Sequence, residues 1–155
     1  MNKIILVGKS AAGKDHMRKI LEDRGFNYGV SYTTRPPRPT EVDGIDYHFL
    51  TEPEFEGAEW YEYVEFNGWY YGTSNKQFNE TCNLFIMTPE GVSKIQSEDR
   101  GECTIIYLDI GLDTRLRRLT ARNDTNDKIE RRLKADESDF STFKDYDIKI
   151  TDPNF

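Results

Sequence analysis

Lys3-Ile-Ile-Leu-Val-Gly8-Lys-Ser-Ala-Ala-Gly13-Lys14 decides the fold. Ile4 to Val7 is β-branched and continuously apolar, as a strand covered on both faces must be, and Gly8 breaks it. Gly8, Gly13 and Lys14 make G-x-x-x-x-G-K at the point where a strand gives way to a helix. The two glycines let the backbone wrap a phosphate so that successive N–H groups and the helix dipole face the anion, while Lys14 reaches the β- and γ-phosphates. Gly8, Ser10, Ala11, Ala12, Gly13, Lys14, Asp15 and His16 are therefore the candidate residues for a bound ATP. Where the usual loop carries Ser or Thr to hold magnesium, this one has Asp15. Two readings stay open: a carboxylate that meets Mg²⁺ directly or through water, and an acidic residue favoured by the dipole in a first helical turn. His16 reads as an exposed helix histidine.

Outward from the loop, Met17, Ile20 and Leu21 recur at helical spacing, and Arg24-Gly25 closes the helix. Tyr32 to Gly44 holds Pro36, Pro37 and Pro39, which predicts an ordered charged loop with no inner strand. From Asp46 to Ser74 the chain is aromatic and short-stranded: Tyr47-His-Phe-Leu, a brief helix from Pro53, then Trp60 to Phe66 and Trp69 to Gly72 around Asn67-Gly68, a strong hairpin signal. The α/β rhythm then returns: a strand at Leu84-Phe-Ile-Met, a helix from Pro89 through Ile95, a strand at Thr104 to Leu108, a helix through Leu112, Leu116 and Leu119, a second through Ile129, Leu133 and Phe140, and a last strand at Asp147-Ile-Lys-Ile. Strands alternating with helices predict a P-loop α/β fold, a mostly parallel sheet flanked by helices. The expected organisation is one domain over 1–155, with a core of 1–31 and 81–155 and a small antiparallel insert over about 32–80.

Composition narrows the function. Over 155 residues, 21 basic and 28 acidic side chains leave a net charge of −7, which argues against a general binder of nucleic-acid polymer or anionic membrane. Any anionic ligand must be held by a local cluster. Apolar content of 36% and charge of 32% indicate one small, well-solvated core, and 9 Phe, 9 Tyr and 2 Trp are too many for a disordered chain. Cys82 and Cys103 are not spaced for a zinc site, and reduced, partly buried thiols are expected. No apolar run approaches a signal core or a membrane span, so a soluble, cytoplasmic protein is expected. Oligomeric state is not readable.

Val30-Ser-Tyr-Thr-Thr-Arg35-Pro-Pro-Arg38-Pro-Thr-Glu-Val-Asp-Gly-Ile-Asp-Tyr47-His-Phe closely resembles guanylate kinases. That family's S-x-T-T-R-x-P-R followed by G-E-V-x-G-x-D-Y-x-F is present with Thr40 in place of glycine. Glu62, Tyr71-Gly72-Thr73 and Arg132-Leu133 fall where the family has its later motifs. The resemblance implies a nucleoside monophosphate kinase that transfers phosphate from ATP, with Mg²⁺, to GMP or dGMP. It implies an acceptor site of Ser31, Arg35, Arg38, Tyr47, Glu62, Tyr71, Thr73 and Thr88. The chemistry agrees: two arginines three apart on a proline-stiffened loop can fork onto one phosphate, and the tyrosines offer hydroxyls to it. Guanine presents two adjacent donors, N1–H and the 2-amino group, that one carboxylate at Glu62 accepts together, while Ser31 can donate to O6. Read alone, Arg35 and Arg38 fit a solvated loop as well, and Glu62 a polar strand edge.

Two further positions depart from the pattern. Thr88 stands where the family usually sets an aspartate against the base, and Thr151 where an asparagine commonly meets adenine. The family's last helix has no counterpart before Phe155. Between Leu112 and Arg132 lie Arg115, Arg117, Arg118, Arg122, Lys128 and Arg131, interrupted by Asn123-Asp-Thr-Asn-Asp. This is similar to the family's lid, in which arginines close over the triphosphate, and the resemblance implies a short lid over about 120–132. Lys14, Arg122 and Arg132 are the implied catalytic residues, Arg118 a weaker candidate, and Arg115, Arg117 and Arg131 are expected on a solvated helix face. The Gly-Lys-Asp loop and the length also resemble compact virus-encoded deoxynucleoside monophosphate kinases of broader acceptor range. A non-catalytic guanylate-kinase-like binding module is the rival from another class, against which the intact loop counts.

Overall fold

The computed structural model describes residues 2–122 and 126–155, and for residues 126 and 127 the backbone alone. The first three residues of the expected lid turn thus lie outside the described residues. In chain order the elements are β1 (Lys3–Gly8), α1 (Lys14–Asp23), β2 (Tyr32–Thr33), β3 (His48–Phe49), α2 (Glu52–Glu56), β4 (Trp60–Phe66), β5 (Trp69–Ser74), a wide π-type turn over Gln77–Thr81, β6 (Leu84–Ile86), α3 (Pro89–Ser93), α4 (Ser97–Arg100), β7 (Cys103–Leu108), α5 (Leu112–Ala121), α6 (Asn126–Phe140) and β8 (Ile148–Ile150).

The main sheet runs β6-β1-β7-β8, and every pairing in it is parallel. β1 lies inside, so its run of Ile5, Leu6 and Val7 is fully buried. On one face Ile5, Val7 and Ile105 pack with Phe85, Val92 and the Tyr61–Phe78 stack, joined by Phe140 and Tyr146. On the other, Leu108 and Ile110 pack with Ala12, and Met17, Ile106 and Ile150 close over them. Burying each such aliphatic side chain stabilises the fold by about 1.5–3 kcal/mol. The chain adds β6 on one side of β1 and β7 on the other, and the crevice at such a switch point is where open α/β sheets take ligands. The loop Gly8–Lys14 leaves β1 into that crevice.

The second sheet runs β3-β2-β5-β4. Two expectations about it need correction. Tyr32-Thr33 is an inner strand, because the prolines begin only at Pro36 and the two preceding amides remain free to pair. The sheet is also mixed: β2 pairs antiparallel with β5 but parallel with β3, the excursion through Gly44 returning the chain in the same direction. The β4–β5 hairpin turns at Asn67-Gly68 with φ of 53° and 82°, the double positive-φ turn that matches strand twist. The helix expected to run from Pro89 to Ile95 stops at Ser93, and α4 follows as a separate turn.

A bulge sets the sheet's working face. Trp60 pairs with Ser74 and Glu62 with Thr73, so Tyr61 is the extra residue in β4. Its ring enters the main core on Phe78, and its hydroxyl donates to Asp99 at 2.7 Å. Without the bulge Trp60 and Glu62 would share a face. With it, Trp60 joins Tyr32 and Phe55 on the side covered by α2, while Glu62 joins Thr73 and Tyr71 on the opposite side.

α5 differs most from the sequence reading. Leu112 and Leu116 are exposed, and the buried positions are Arg115 and Leu119. Arg115 is only 3% exposed, so its assignment to a solvated face is wrong. Its Nε donates to the Ile110 carbonyl at 2.9 Å and its Nη1 lies 3.7 Å from Asp136. A buried guanidinium needs such partners, and helical spacing alone does not reveal them. Arg117 is exposed as expected. Both thiols are free, Cys103 buried and Cys82 half-buried. Among the described residues no helix is long and apolar enough to cross a membrane.

Candidate functional site

Gly8 to Lys14 folds as a concave turn. Ala12 N–H donates to the Lys9 carbonyl at 3.1 Å, and Ala11 and Gly13 take positive φ of 61° and 97°. Alternation of this kind turns successive amides toward one point and makes an anion-binding hollow. Ala11 is held in the left-handed region by its packing on Leu119 and Ile129, from α5 and α6. At Gly13 a side chain is excluded twice, by φ and because a Cβ would lie 2.9 Å from the Phe155 ring. Lys14 Nζ donates to the Gly8 carbonyl at 2.5 Å. Burial pushes its ammonium below the ordinary lysine value, with the Asp136 and Asp15 carboxylates pulling the other way.

A cavity of about 530 Å³ opens on this loop. It is lined by Ser10 to His16 and by Arg118, Arg122 and Arg132, with Pro153 and Phe155 at one side. Three arginines contributed by α5, its C-cap and α6 give this wall a positive charge that the protein as a whole lacks. Arg118 bridges the Ala11 carbonyl at 2.9 Å and the Pro153 carbonyl at 3.3 Å. His16 is exposed, as read, and its Nε2 lies 3.2 Å from the Phe155 carbonyl. The Asp15 carboxylate is solvated and pairs with Arg18 Nε at 3.3 Å. No group of three or more His, Cys, Asp or Glu that could hold a metal occurs among the described residues.

The second sheet gathers most of the remaining candidates on its inner face. Tyr71 and Thr73 alternate on β5, and two residues of strand separate them by roughly 7 Å. At the Tyr71 end, the Arg35 guanidinium lies 5.2 Å from the Tyr47 ring and Tyr47 lies 5.9 Å from Tyr71. Arg35 is gripped by a residue that the motif reading passed over: its two Nη donate to the two oxygens of Glu41 at 2.8 and 2.9 Å. Glu41 also accepts the Arg38 backbone N–H at 2.8 Å, which leaves the Arg38 side chain exposed at the tip of the loop. At the Thr73 end, Glu62 is buried and accepts the Thr73 hydroxyl at 2.8 Å. Burial raises the Glu62 carboxyl above its ordinary value, against the pull of the Thr73 hydroxyl and the Lys94 charge. Its second oxygen lies 3.2 Å from where a Cβ at Gly91 would stand. Thr88, the N-cap of α3, accepts the Gly91 N–H at 3.1 Å, so Glu62 and Thr88 converge on one residue. Ser31 precedes β2 and falls by alternation on the face of Thr33 and Tyr71, its carbonyl spent on His48 N–H.

Glu41 carries a pH prediction. The Arg35 hydrogen bonds hold its carboxyl at about 2, below the ordinary 4.5. A carboxyl lowered on folding contributes stability that is fully present above the unfolded value and is lost as pH falls through the folded one. The urea midpoint of wild type minus that of Glu41→Gln is therefore expected to be constant above about pH 5 and to shrink steadily as pH falls from about 4.5 toward 2. A difference independent of pH would refute the pairing.

A glycine-turned anion hollow after an inner parallel strand, a lysine at the first helical position and an arginine-lined cavity define a P-loop α/β phosphate-binding protein, with a second sheet that carries its own arginine–tyrosine cluster. The family model for guanylate kinase matches residues 1–155. The guanylate kinase of Streptococcus agalactiae serotype III is 32% identical over 160 residues, covering 95% of this chain and 77% of that protein. That of Streptococcus pyogenes serotype M3 is also 32% identical, over 95% of this chain and 76% of that protein. The crystal structure of guanylate kinase from Anaplasma phagocytophilum superposes with a TM-score of 0.72 at 25% identity, over 97% of this chain and 76% of that one. The chain belongs to the guanylate kinase family.

Proposed function

We propose that this chain phosphorylates GMP or dGMP at the expense of ATP. The observation that carries the reading is the inner face of the second sheet. It sets a buried carboxylate, Glu62 on Thr73, one strand step from an arginine–tyrosine cluster of Arg35, Tyr47 and Tyr71. One end suits guanine's paired donors, and the other a monophosphate. In this reading residues 1–31 and 81–155 are the core that takes ATP on Gly8 and Ser10–His16, residues 32–80 hold the acceptor, and 120–132 act as the lid.

Phosphoryl transfer leaves little covalent chemistry to the protein, so positioning and charge stabilisation supply most of the rate. Lys14 donates to the β- and γ-phosphates, and Arg122 and Arg132 face the charge that spreads over the transferring group. Arg38 and the Glu41-braced Arg35 fix the acceptor phosphate, with Tyr47 and Tyr71 donating hydroxyls. Ser31 and Thr88 border the base. Magnesium is usually held by one or two carboxylates together with the substrate's phosphates and water. The solvated Asp15 carboxylate, beside the loop, fits that single-ligand demand; the ion would supply charge neutralisation on the triphosphate.

The test is steady-state turnover with ATP and each of the eight common ribo- and deoxynucleoside monophosphates. GMP and dGMP are expected to lead, and preferential turnover of a pyrimidine or adenine nucleotide would overturn the assignment. Arg38→Ala separates the two sites. Loss of a charge-assisted phosphate contact costs about 1.5–3 kcal/mol, so the acceptor KM is expected to rise by roughly 10–150-fold while the KM for ATP stays within about twofold. Equal weakening of both substrates would show that Arg38 does not serve the acceptor alone.

A further inference from the structure

Asp136 sits on α6, buried, and it touches the phosphate loop. Its Oδ2 accepts the Ser10 backbone N–H at 3.1 Å, and its Oδ1 faces the Ser10 hydroxyl at 3.4 Å. Arg115 Nη1 lies 3.7 Å from Oδ2 and makes no hydrogen bond of its own. The neighbouring Lys9 Nζ reaches Glu137 at 3.5 Å. An amide of a loop built to bind anions is thus engaged by an anion of the protein itself. A buried carboxylate is costly unless hydrogen-bonded and paired, and here the partners are a loop amide and a guanidinium that also needs a partner. Ser10 and Arg132 both line the donor cavity. Arg132 and Asp136 stand four residues apart on α6, on one helix face.

We infer that Asp136 is a positioning residue that acts as a built-in anion. It holds the Ser10 end of the phosphate loop and gives way to the phosphates of the donor nucleotide. The inference rests on the reading of the arginine-lined cavity as the donor site. Two like charges cannot share one amide, so the donor's affinity is reduced by whatever it takes to displace the carboxylate. The acceptor site, on the other sheet, does not meet this contact. A purely structural Asp136 would make donor binding weaker or leave it unchanged when removed; a displaced one makes it tighter.

The experiment is calorimetric titration of the intact chain with ADP, pyrophosphate and GMP, in wild type, Asp136→Asn, and the double variant Arg115→Met/Asp136→Leu. The double variant replaces the pair by apolar side chains and avoids stranding a buried charge, a swap that is often neutral for stability. ADP and pyrophosphate are expected to bind Asp136→Asn about tenfold more tightly than wild type, within the range typical of coupled sites, and the double variant several-fold more tightly, with GMP unchanged. The Ser10 amide is expected to exchange its hydrogen faster in the ligand-free double variant than in ligand-free wild type. Wild type that binds ADP and pyrophosphate, with folded variants that bind them no tighter, would overturn the inference and leave the donor site standing. Wild type that binds neither would overturn the donor-site reading and the inference together.

Discussion

Lys14→Ala is expected to lower turnover by on the order of 10³-fold or more while the protein stays folded. The ammonium is half-buried at the start of α1, with its nearest partner the Gly8 carbonyl at 2.5 Å. Removing it deletes the side-chain hydrogen bonds to the Gly8 and Lys9 carbonyls and no part of either hydrophobic layer of the main sheet. The stability loss should be about 1 kcal/mol. Its charge is the one the loop itself aims at the cavity, and charge spreading over the transferred group is what such a site must meet. Burial already favours losing the proton, and the Asp136 and Asp15 carboxylates oppose that tendency. A coupled assay for turnover and circular dichroism for the fold check this together. Wild-type turnover in a folded variant would remove the phosphate-loop assignment.

Glu62→Gln is expected to abolish most of the preference for guanine. The carboxylate has two acceptor oxygens for two adjacent donors, whereas an amide turns one oxygen and one NH₂ toward them. Sites built on such hydrogen bonds discriminate by roughly 10⁴–10⁵ against a ligand without matching groups, because buried polar atoms are left unpaired. Wild type should therefore favour GMP over AMP by about that ratio in kcat/KM, and the variant by far less. Thr73 braces the oxygen it bonds at 2.8 Å, which confines the carboxylate to one orientation. Inosine monophosphate, with N1–H and O6 but no 2-amino group, is the sharper probe, and its kcat/KM is expected to lie between those of GMP and AMP. If it reacts as well as GMP in wild type, Glu62 does not read both donors. Thr88 caps α3 through the Gly91 N–H and adds no second charge beside Glu62, so the preference for GMP over TMP, which keeps a single ring N–H donor, is expected to be smaller than that over AMP.

Arg35 and Arg38 illustrate how far a motif reading reaches. The spacing of Arg35 and Arg38 is visible in the chain, and both lie on the loop that was expected to present them. Glu41 lies within the same stretch, yet nothing in the spacing says that it takes both Nη groups of Arg35 and leaves Arg38 as the outward cation. The basic run of α5 and α6 misleads in the other direction. Counted as charges along helices, Arg115, Arg117 and Arg131 look alike; packed, Arg115 is buried beside Asp136 and the other two are exposed.

By itself the sequence determined what depends on near neighbours in the chain. Gly8, Gly13 and Lys14 lie within seven consecutive residues, and the hollow they make needs only local backbone conformation and a helix start. The Asn67-Gly68 hairpin and the buried strand Ile4 to Val7 are local in the same sense. Tertiary structure alone decided which face Glu62 presents, since one extra residue at Tyr61, whose ring stacks on Phe78 in the main core, reverses the side. It also decided that Asp136 meets Ser10, 126 residues away in sequence. Contacts of that separation follow from how sheets and helices pack. The free energy of a carboxylate beside an amide is set by what else is buried with it, here Arg115, and that company is assembled only when the chain folds.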